Sequence, residues 1–462
     1  MTELLRGRGR ALAFLLALAA APGAAQDREP PGRDPRMYEL VEAVSADRIE
    51  ADIRALVGFG TRHTMSETAS ETRGIGAARR WIHAGFEVIS DACGGCLEVS
   101  FQRHVVPGRE GSRIPADTEV VNVLAVLRGA SDPNRYVIMS GDIDSRVSDN
   151  YNFTDDAPGA NDNASGMAGT MEAARVLSRH AGSFAATLVF AGLSGEEQGL
   201  FGGRHMAAVA VREGWNIEAV LNNDMIGNIE GIDGVIRNDV YRVFSEPTPV
   251  TETEEARRAR RSMGGEIDGV SRQLARYVAR MTDLYIPNLE AMLIYRLDRF
   301  GRGGHHRPFN DAGFPGVRIM EAHEHYRRQH QDLRVEDGIA YGDVIEGVDF
   351  DFAAKLTAAN VVALAGLAWA PAPPANVAIG GAVRASASLA WDPVASDRLA
   401  GYRVYWRETT APQWTDSRFV GDATEYTFEN LVIDNFLFGV AAVGEDGNES
   451  VVSFPLRRLP RR

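Results

Sequence analysis

The chain has 462 residues, which is more than one hydrophobic core usually organises, so we expect a catalytic-size domain and at least one accessory domain. Its apolar share of 45% and charged share of 24% are ordinary for a globular protein and argue against extensive disorder or a fibrous architecture. A formal net charge of -14 repels phosphate backbones and anionic lipid, which argues against nucleic acid as a partner.

The first 25 residues have the pattern of a secretory signal peptide. Arg6, Arg8 and Arg10 precede the apolar run 11–21, and small residues follow up to Ala25, after which we expect cleavage. An uncleaved membrane anchor is the alternative, but the run is shorter than the roughly 20 residues that a spanning helix needs. No later segment combines spanning length with an absence of charge. We therefore expect an exported chain, periplasmic or secreted, with no membrane span after cleavage.

The leader that follows, residues 26–36, is polar and Pro-rich and is expected to be a linker. Residues 37–56 carry apolar side chains at helical spacing, and residues 74–84 fit a second helix. Beyond them lie the only two cysteines, Cys93 and Cys96. They could form a redox pair or half of a metal knuckle. We prefer a local disulfide, because the chain has no second cysteine pair and export favours oxidation.

From the second helix onward, strand-like and helical segments alternate, which predicts an α/β sandwich. Several strands are nearly all apolar, as expected when helices cover both faces of the sheet. The predicted strands are residues 119–127, 136–140, 187–193, 219–223 and 317–320. The predicted helices are residues 164–178, 203–212, 269–282 and 352–368. Residues 229–265 lack clean periodicity and contain the charged run 252–261, so we interpret them as an insertion with a solvated face.

The composition changes at residues 370–375, where clustered prolines predict a stiff linker between domains. Residues 376–462 alternate short β patterns with turns. The β patterns are residues 386–391, 401–406, 426–431 and 436–443. This predicts a small all-β, immunoglobulin-like sandwich.

Four strings place acidic side chains at or just beyond predicted strand ends, where ligand sites of open α/β sheets lie. The acids are Asp142 and Asp144, Asp162, the adjacent pair Glu196 and Glu197, and Asp224. Each alone could be a helix cap or a turn residue. Together at one sheet edge they would be electrostatically costly without cations. The sequence therefore predicts a metal cluster, with one glutamate binding metal and the other handling protons.

These strings resemble the motifs of the co-catalytic zinc aminopeptidase family, which includes leucyl-type bacterial and vacuolar aminopeptidases. In chain order they are Gly-Asp-Ile-Asp-Ser (141–145), Ala-Pro-Gly-Ala-Asn-Asp-Asn-Ala-Ser-Gly (157–166), Gly-Glu-Glu-Gln-Gly-Leu (195–200) and Asn-Asn-Asp-Met-Ile-Gly (222–227). The resemblance covers residues 37–369, a metallopeptidase catalytic domain. It implies a three-layer sandwich around a mixed, mainly parallel eight-stranded sheet, two divalent metals, and peptide substrates cleaved at the N-terminus.

The resemblance also implies roles for individual residues. Asp162 matches the carboxylate that bridges the two metals, and Glu196 matches the general base that takes the proton of the attacking water. Glu197 matches a ligand of one metal and Asp224 a ligand of the other. His330 best matches the final histidine ligand, because an aspartate follows it as in the family.

The chain departs from the family at Asp142, where histidine is usual. Asp142, Asp162 and Asp224 form an all-oxygen ligand set that suits manganese, magnesium or calcium. Asp162, Glu197 and His330 keep a zinc-like set. We therefore expect two divalent ions, zinc foremost, with unequal affinities.

The resemblance also bears on residues that are not assigned as metal ligands. Asp144 matches the acid that orients the family's first histidine. His306 matches a histidine near the substrate. His323 and His325 are rivals of His330 for the last ligand.

The family's fold also supports carboxypeptidases and glutaminyl cyclases, so the fold alone does not give the substrate. A cyclase would use one zinc on Asp162, Glu197 and His330. The peptidase-like residues after the glutamates argue against it, as does the lack of a tryptophan before His330. A catalytically inactive binding or adhesion protein is the other alternative, and the retention of Glu196 argues against that. The C-terminal domain resembles fibronectin type III modules around Trp391 and Tyr405.

Overall fold

A computed structural model of the chain describes residues 29–460. The predicted signal peptide, residues 1–25, lies outside the described residues, as does the start of the predicted leader. The domain boundaries remain predictions.

The catalytic part is built around one eight-stranded mixed sheet in the order β1-β2-β4-β3-β5-β8-β6-β7. The strands are β1 (Leu97–Val106), β2 (Thr118–Leu127), β3 (Asp132–Asp142), β4 (Ala186–Leu193), β5 (Asn216–Asn223), β6 (Val240–Ser245), β7 (Glu290–Ile294) and β8 (Gly316–Glu321). Four neighbouring pairs run parallel and three antiparallel. The predicted mixed, mainly parallel sheet is confirmed.

Helices cover both faces of this sheet. They are α1 (Arg36–Ala43), α2 (Ala46–Val57), α3 (Gly74–Ala92), α4 (Gly166–Leu177), α5 (Glu196–Gly199), α6 (Phe201–Glu213), α7 (Glu254–Arg261), α8 (Val270–Tyr285), α9 (His306–Asp311) and α10 (Phe350–Trp369). Val137 and Met139 of β3 join the larger core, which includes side chains of α4 and α10. Tyr136 and Ile138 join a second core under α6 and α9. Alternate residues of one strand therefore face two helical layers, which confirms the three-layer sandwich.

The expected single helix over residues 37–56 is wrong, because the chain forms α1 and α2 instead. Val44 is extended between them, and the Ser45 hydroxyl caps α2 by accepting a hydrogen bond from Arg48 N. The backbone N–H of Ser45 donates to the buried carboxylate of Glu172 at 2.9 Å. The Ser45 cap begins a new helix at this point. The apolar residues keep helical spacing across the break, so their spacing alone does not reveal that the helix is interrupted.

Residues 229–265 are not simply an insertion. β6 lies inside the sheet between β8 and β7, with Val240, Tyr241, Val243 and Phe244 buried. The expected solvated charged face is restricted to α7, in which Arg260 is the one buried side chain.

Two further predictions concern Cys93, Cys96 and membrane spans. The cysteines form a disulfide with each other, as preferred from the sequence.

Among the described helices, α10 alone is long and apolar enough to cross a membrane by length and composition. In its most apolar window 89% of the residues are buried, and it packs against α4, α8 and β3, as a core helix does.

The C-terminal part is an all-β sandwich of two sheets, in the orders β15-β12-β11-β17 and β14-β13-β16. Its strands are β11 (Ala378–Gly380), β12 (Ala387–Ala390), β13 (Leu399–Glu408), β14 (Asp416–Gly421), β15 (Glu425–Phe428), β16 (Phe436–Gly444) and β17 (Arg457–Arg458). Trp391, Tyr402 and Phe438 are buried between the sheets, so Trp391 is a core residue. The fibronectin type III identification stays a prediction. A short hairpin, β9 (Arg334–Glu336) and β10 (Ile339–Tyr341), lies between β8 and α10.

The two parts are joined by a buried ion cluster around Asp268. Its carboxylate accepts hydrogen bonds from Arg276 of α8 at 2.7 Å and from Arg407 of β13 at 2.9 Å. All three side chains are at most 1% exposed. Nearby, Arg280 of α8 contacts Glu449 of the sandwich at 2.9 Å. The Pro-rich linker is thus accompanied by a polar interface that fixes the sandwich against α8.

We expect Asp268→Asn to destabilise the protein by about 3 to 5 kcal/mol, because it leaves two buried arginines without their counter-charge. Urea denaturation followed by tryptophan fluorescence measures this. Glu254→Gln, which removes an exposed pair with Arg258, is the matched control and should change the free energy of unfolding far less. Equal effects of the two substitutions would contradict the structural role of the cluster.

Candidate metal centre

The predicted acids meet at the carboxyl ends of β3, β4 and β5, which are parallel neighbours. Asp142 ends β3, and Glu196 and Asp224 follow the ends of β4 and β5. Because parallel strands end at the same sheet edge, this topology brings side chains that are far apart in sequence into one site.

Asp162 lies in a turn that requires glycine at position 159. Residues 160–165 form an irregular turn before α4, in which Asp162 has the non-helical angles φ -109° and ψ 88°, and Gly159 has a φ of 52°. A Cβ at Gly159 would lie 2.5 Å from the carbonyl oxygen of Asp162. The carboxylate of Asp343 accepts hydrogen bonds from the backbone of Asn161 at 2.9 Å and of Asp162 at 2.7 Å. These contacts fix the backbone of Asp162 and leave its side chain to the site.

Glu196 and Glu197 open α5, a single turn that begins just after β4. The two oxygens of Asp144 accept hydrogen bonds from Glu196 N and Glu197 N, both at 3.1 Å. Thr64 donates its hydroxyl to the same carboxylate at 2.8 Å. Burial, with the charge of Glu197, raises the pKa of Asp144 to about 6. Asp144 therefore caps the turn that carries both glutamates.

Asp162, Glu197 and His330 bring three ligand atoms within 4.8 Å of one another. Nε2 of His330 lies 2.9 Å from Oδ2 of Asp162 and 3.0 Å from Oε1 of Glu197. One imidazole nitrogen and two carboxylate oxygens are a donor set of catalytic zinc, which keeps one position open for water or substrate. These residues fit a zinc ion. The rival histidines His323 and His325 are outside the group.

The charges of this triad support one another. Burial acts to raise the pKa of Asp162, but His330 holds it below its usual value, and His330 also lowers the pKa of Glu197. Arg146 lies 2.8 Å from Glu197 through Nε and 2.6 Å from Nδ1 of His330 through a terminal nitrogen. Because a guanidinium can only donate, Nδ1 accepts this bond and the ring proton on Nε2 faces the carboxylates. A zinc ion would take the place of that proton.

Glu196 differs from Glu197 in the freedom of its carboxylate. Glu197 is held by Arg146 and His330, whereas no side chain or backbone group of residues 29–460 hydrogen-bonds to the Glu196 carboxylate. Burial, together with the charges of Glu197 and Asp224, raises its pKa well above the usual value. A carboxyl group that is unrestrained and binds protons readily is suited to general acid and base work.

Comparison with known proteins identifies the chain's relatives. Residues 122–340 match the model of peptidase family M28. The chain is 42% identical to a probable zinc metalloprotease of Pyrenophora teres f. teres over 430 residues, 92% of this chain and 88% of the relative. The chain belongs to peptidase family M28. A probable zinc metalloprotease of Leptosphaeria maculans is 41% identical over 92% of this chain and 98% of its own length.

Among solved structures, the LapA aminopeptidase of Legionella pneumophila superposes with a TM-score of 0.51 at 17% identity, covering 74% of this chain and 78% of LapA. This likeness shows the fold. With the relatives above it confirms the predicted family, and the chain is a zinc metallopeptidase of family M28.

The ligand set predicted for a second metal has a different environment in this M28 chain. Oδ1 of Asp142 lies 2.5 Å from Nδ1 of His305, and its Oδ2 accepts a hydrogen bond from Asn163 at 2.8 Å. Asp224 forms an ion pair with Arg318 at 2.8 Å. Burial raises the pKa of Asp142 to about 8 and that of Asp224 to about 7. Both carboxylates therefore already have protein partners.

His306 is a buried side chain that contacts the segment before α9. The ring is fully buried, with Nε2 2.8 Å from the carbonyl oxygen of Leu297 and 3.4 Å from Asp298. Burial lowers its pKa to about 4. His306 therefore holds the segment before α9, and its predicted closeness to substrate stays a prediction.

Several residues of the centre were not identified from the sequence: Arg146, His305, Arg318, Gln329 and Asp343. Gln329 adjoins His330 and donates to Asp162 at 3.0 Å. Arg146 follows the first motif closely, so position near a motif was an available signal for both. Arg318 and Asp343 carry no such signal, because only the fold brings them to the site.

Proposed function

We propose that this zinc metallopeptidase is an exported aminopeptidase that hydrolyses N-terminal residues from peptides. The observation that carries the proposal is the free Glu196 carboxylate beside the triad of Asp162, Glu197 and His330. A binding protein with a purely structural zinc site would have no use for such a group. The fold shared with the Legionella pneumophila aminopeptidase supports this activity.

The charge of the site favours an N-terminal substrate end. Asp142 lies against His305 and Asp224 against Arg318, whereas no side chain or backbone group of residues 29–460 hydrogen-bonds to the Glu196 carboxylate. A carboxylate without such a partner beside the zinc triad attracts the α-ammonium group of a peptide and repels a C-terminal carboxylate. This argues for an aminopeptidase over a carboxypeptidase.

In the reaction, Asp162, Glu197 and His330 would hold zinc, which polarises a carbonyl and makes water more acidic. Glu196 takes the proton of the attacking water and returns it to the leaving amine. Asp144 keeps Glu196 and Glu197 in register by capping their turn. Arg146 prevents rotation of Glu197 and His330. The second metal of the predicted pair stays a prediction.

Hydrolysis of matched chromogenic substrates tests the proposal. We expect release of chromophore from aminoacyl substrates with a free α-amine, and little from their N-acetylated forms. A dialysed protein treated with a chelator should lose this activity and regain it with zinc. Preference for substrates with a free C-terminus would show a carboxypeptidase. Cyclisation of N-terminal glutamine without hydrolysis would show a glutaminyl cyclase, which the zinc triad would also serve.

Export is proposed from the sequence pattern of residues 1–25. N-terminal sequencing of the protein recovered from the periplasm or the medium tests it, with cleavage after Ala25 expected. Recovery only from the cytoplasm, with residue 1 retained, would contradict it.

A further inference from the structure

The region where a second metal is expected contains a permanent positive charge. Arg318 of β8 is fully buried, and its guanidinium lies 2.8 Å from Asp224 and 3.2 Å from Asp298. Buried carboxylates around it, including that of Asp224, keep it charged. Asp224 is thus neutralised by the protein itself.

The loop before α9 closes the same carboxylate from another side. The backbone of Gly304 is so near that a Cβ there would lie 3.3 Å from Oδ2 of Asp224 and 3.3 Å from Arg318. Gly304 is followed by His305, whose ring is buried and whose Nδ1 lies 2.5 Å from Oδ1 of Asp142. One loop therefore covers both carboxylates of the predicted second site.

Asp142 is not free to bind a metal ion, because both of its oxygens already have protein partners. Its other oxygen accepts the amide of Asn163, whose own carbonyl accepts hydrogen bonds from Gly166 N and Met225 N. The amide orientation is thereby fixed, and the amide N–H group must point at Asp142. Among the described residues, the group of ligand atoms within 4.8 Å includes Asp162 but neither Asp142 nor Asp224.

We propose that this enzyme holds a single zinc ion on Asp162, Glu197 and His330, and that the guanidinium of Arg318 occupies the role of the second cation. Electrostatically, Arg318 offsets the charge of Asp224 without a metal. His305 serves as the partner that orients Asp142. The inference rests on the proposed zinc peptidase function and assigns its metal count.

Zinc content of the wild-type protein is the primary test. The full mature chain is loaded with excess zinc, freed of loose ions on a desalting column and analysed for zinc per chain, alongside hydrolysis of aminoacyl substrates. We expect one zinc per chain. Two tightly bound zinc ions with hydrolysis would overturn the single-zinc inference and keep the proposed function. One zinc ion without hydrolysis would keep the inference and reject the aminopeptidase.

Arg318→Gln tests the role of the guanidinium. The substitution leaves Asp224 without its cation, so we expect zinc per chain to rise toward two and excess zinc to raise the thermal unfolding temperature more than in wild type. Arg48→Gln is the matched control, because Arg48 pairs with the buried Glu172 far from the centre. It should lose stability that zinc does not restore. A folded Arg318→Gln protein with one zinc and a wild-type response to zinc would overturn the proposal that Arg318 takes the place of a second metal ion.

Discussion

Glu196→Gln should lower kcat by about 100-fold to 10,000-fold, which is the usual contribution of a general acid or base. The amide cannot take up the proton of the attacking water, although it has almost the same shape. Because the Glu196 carboxylate has no hydrogen-bond partner among residues 29–460, its replacement breaks no contact there. Zinc content and thermal stability should therefore remain near the wild-type values. Steady-state kinetics with an aminoacyl substrate, together with zinc analysis, measure the effect.

The control for this prediction is a buried glutamate outside the centre. Glu218 is buried, has a raised pKa through desolvation, and pairs with Arg135 at 2.6 Å. Glu218→Gln should cost stability without changing kcat per folded molecule. A wild-type kcat for Glu196→Gln would exclude Glu196 as the proton carrier and return the chain to the binding-protein alternative.

The buried parallel strands could be predicted from the sequence and the edge strands could not. β3, β4 and β5 are apolar runs because helices cover both of their faces. β1 and β7 lie at the two edges of the sheet and have mostly exposed or half-exposed side chains; polar residues interrupt β1, and the apolar part of β7 is only four residues long. β6 was missed because Arg242 interrupts its apolar residues and bonds to the carbonyl oxygen of Glu321.

The sequence also predicted the residues of the zinc triad but not what neutralises the acids beside them. Motifs locate Asp142 and Asp224 because strand ends carry local patterns. Arg318 and His305 reach the same place through β8 and the loop before α9, and no local pattern records such pairings. From the sequence, Asp142 in place of the family's histidine therefore predicted a site for a harder metal ion such as manganese, magnesium or calcium. In the structure it is a paired side chain, which favours the single-zinc inference.

His330→Gln should reduce zinc affinity by more than about 100-fold, since changes in groups that merely support a ligand already cost 10-fold to 100-fold. The imidazole supplies the one nitrogen of the triad, and Nε2 lies within 3.0 Å of both carboxylates. Without it Asp162 and Glu197 face each other, and only weaker support remains, from Arg146 on Glu197 and from Gln329 on Asp162. Competition with a chromophoric zinc chelator measures the affinity, and activity at limiting zinc should fall in parallel.

The matched control for His330 is the rival histidine His325, five positions earlier in the chain. His325 is outside the triad, and burial lowers its pKa instead of neighbouring carboxylates raising it. His325→Gln should keep both zinc affinity and kcat/KM close to wild type. If the His325 variant loses zinc while the His330 variant keeps it, the ligand assignment is wrong, and the left-handed turn at His330, with its φ of 53°, serves another purpose. If both lose zinc equally, the loss comes from unfolding of the segment that carries them, which circular dichroism of the two variants would reveal.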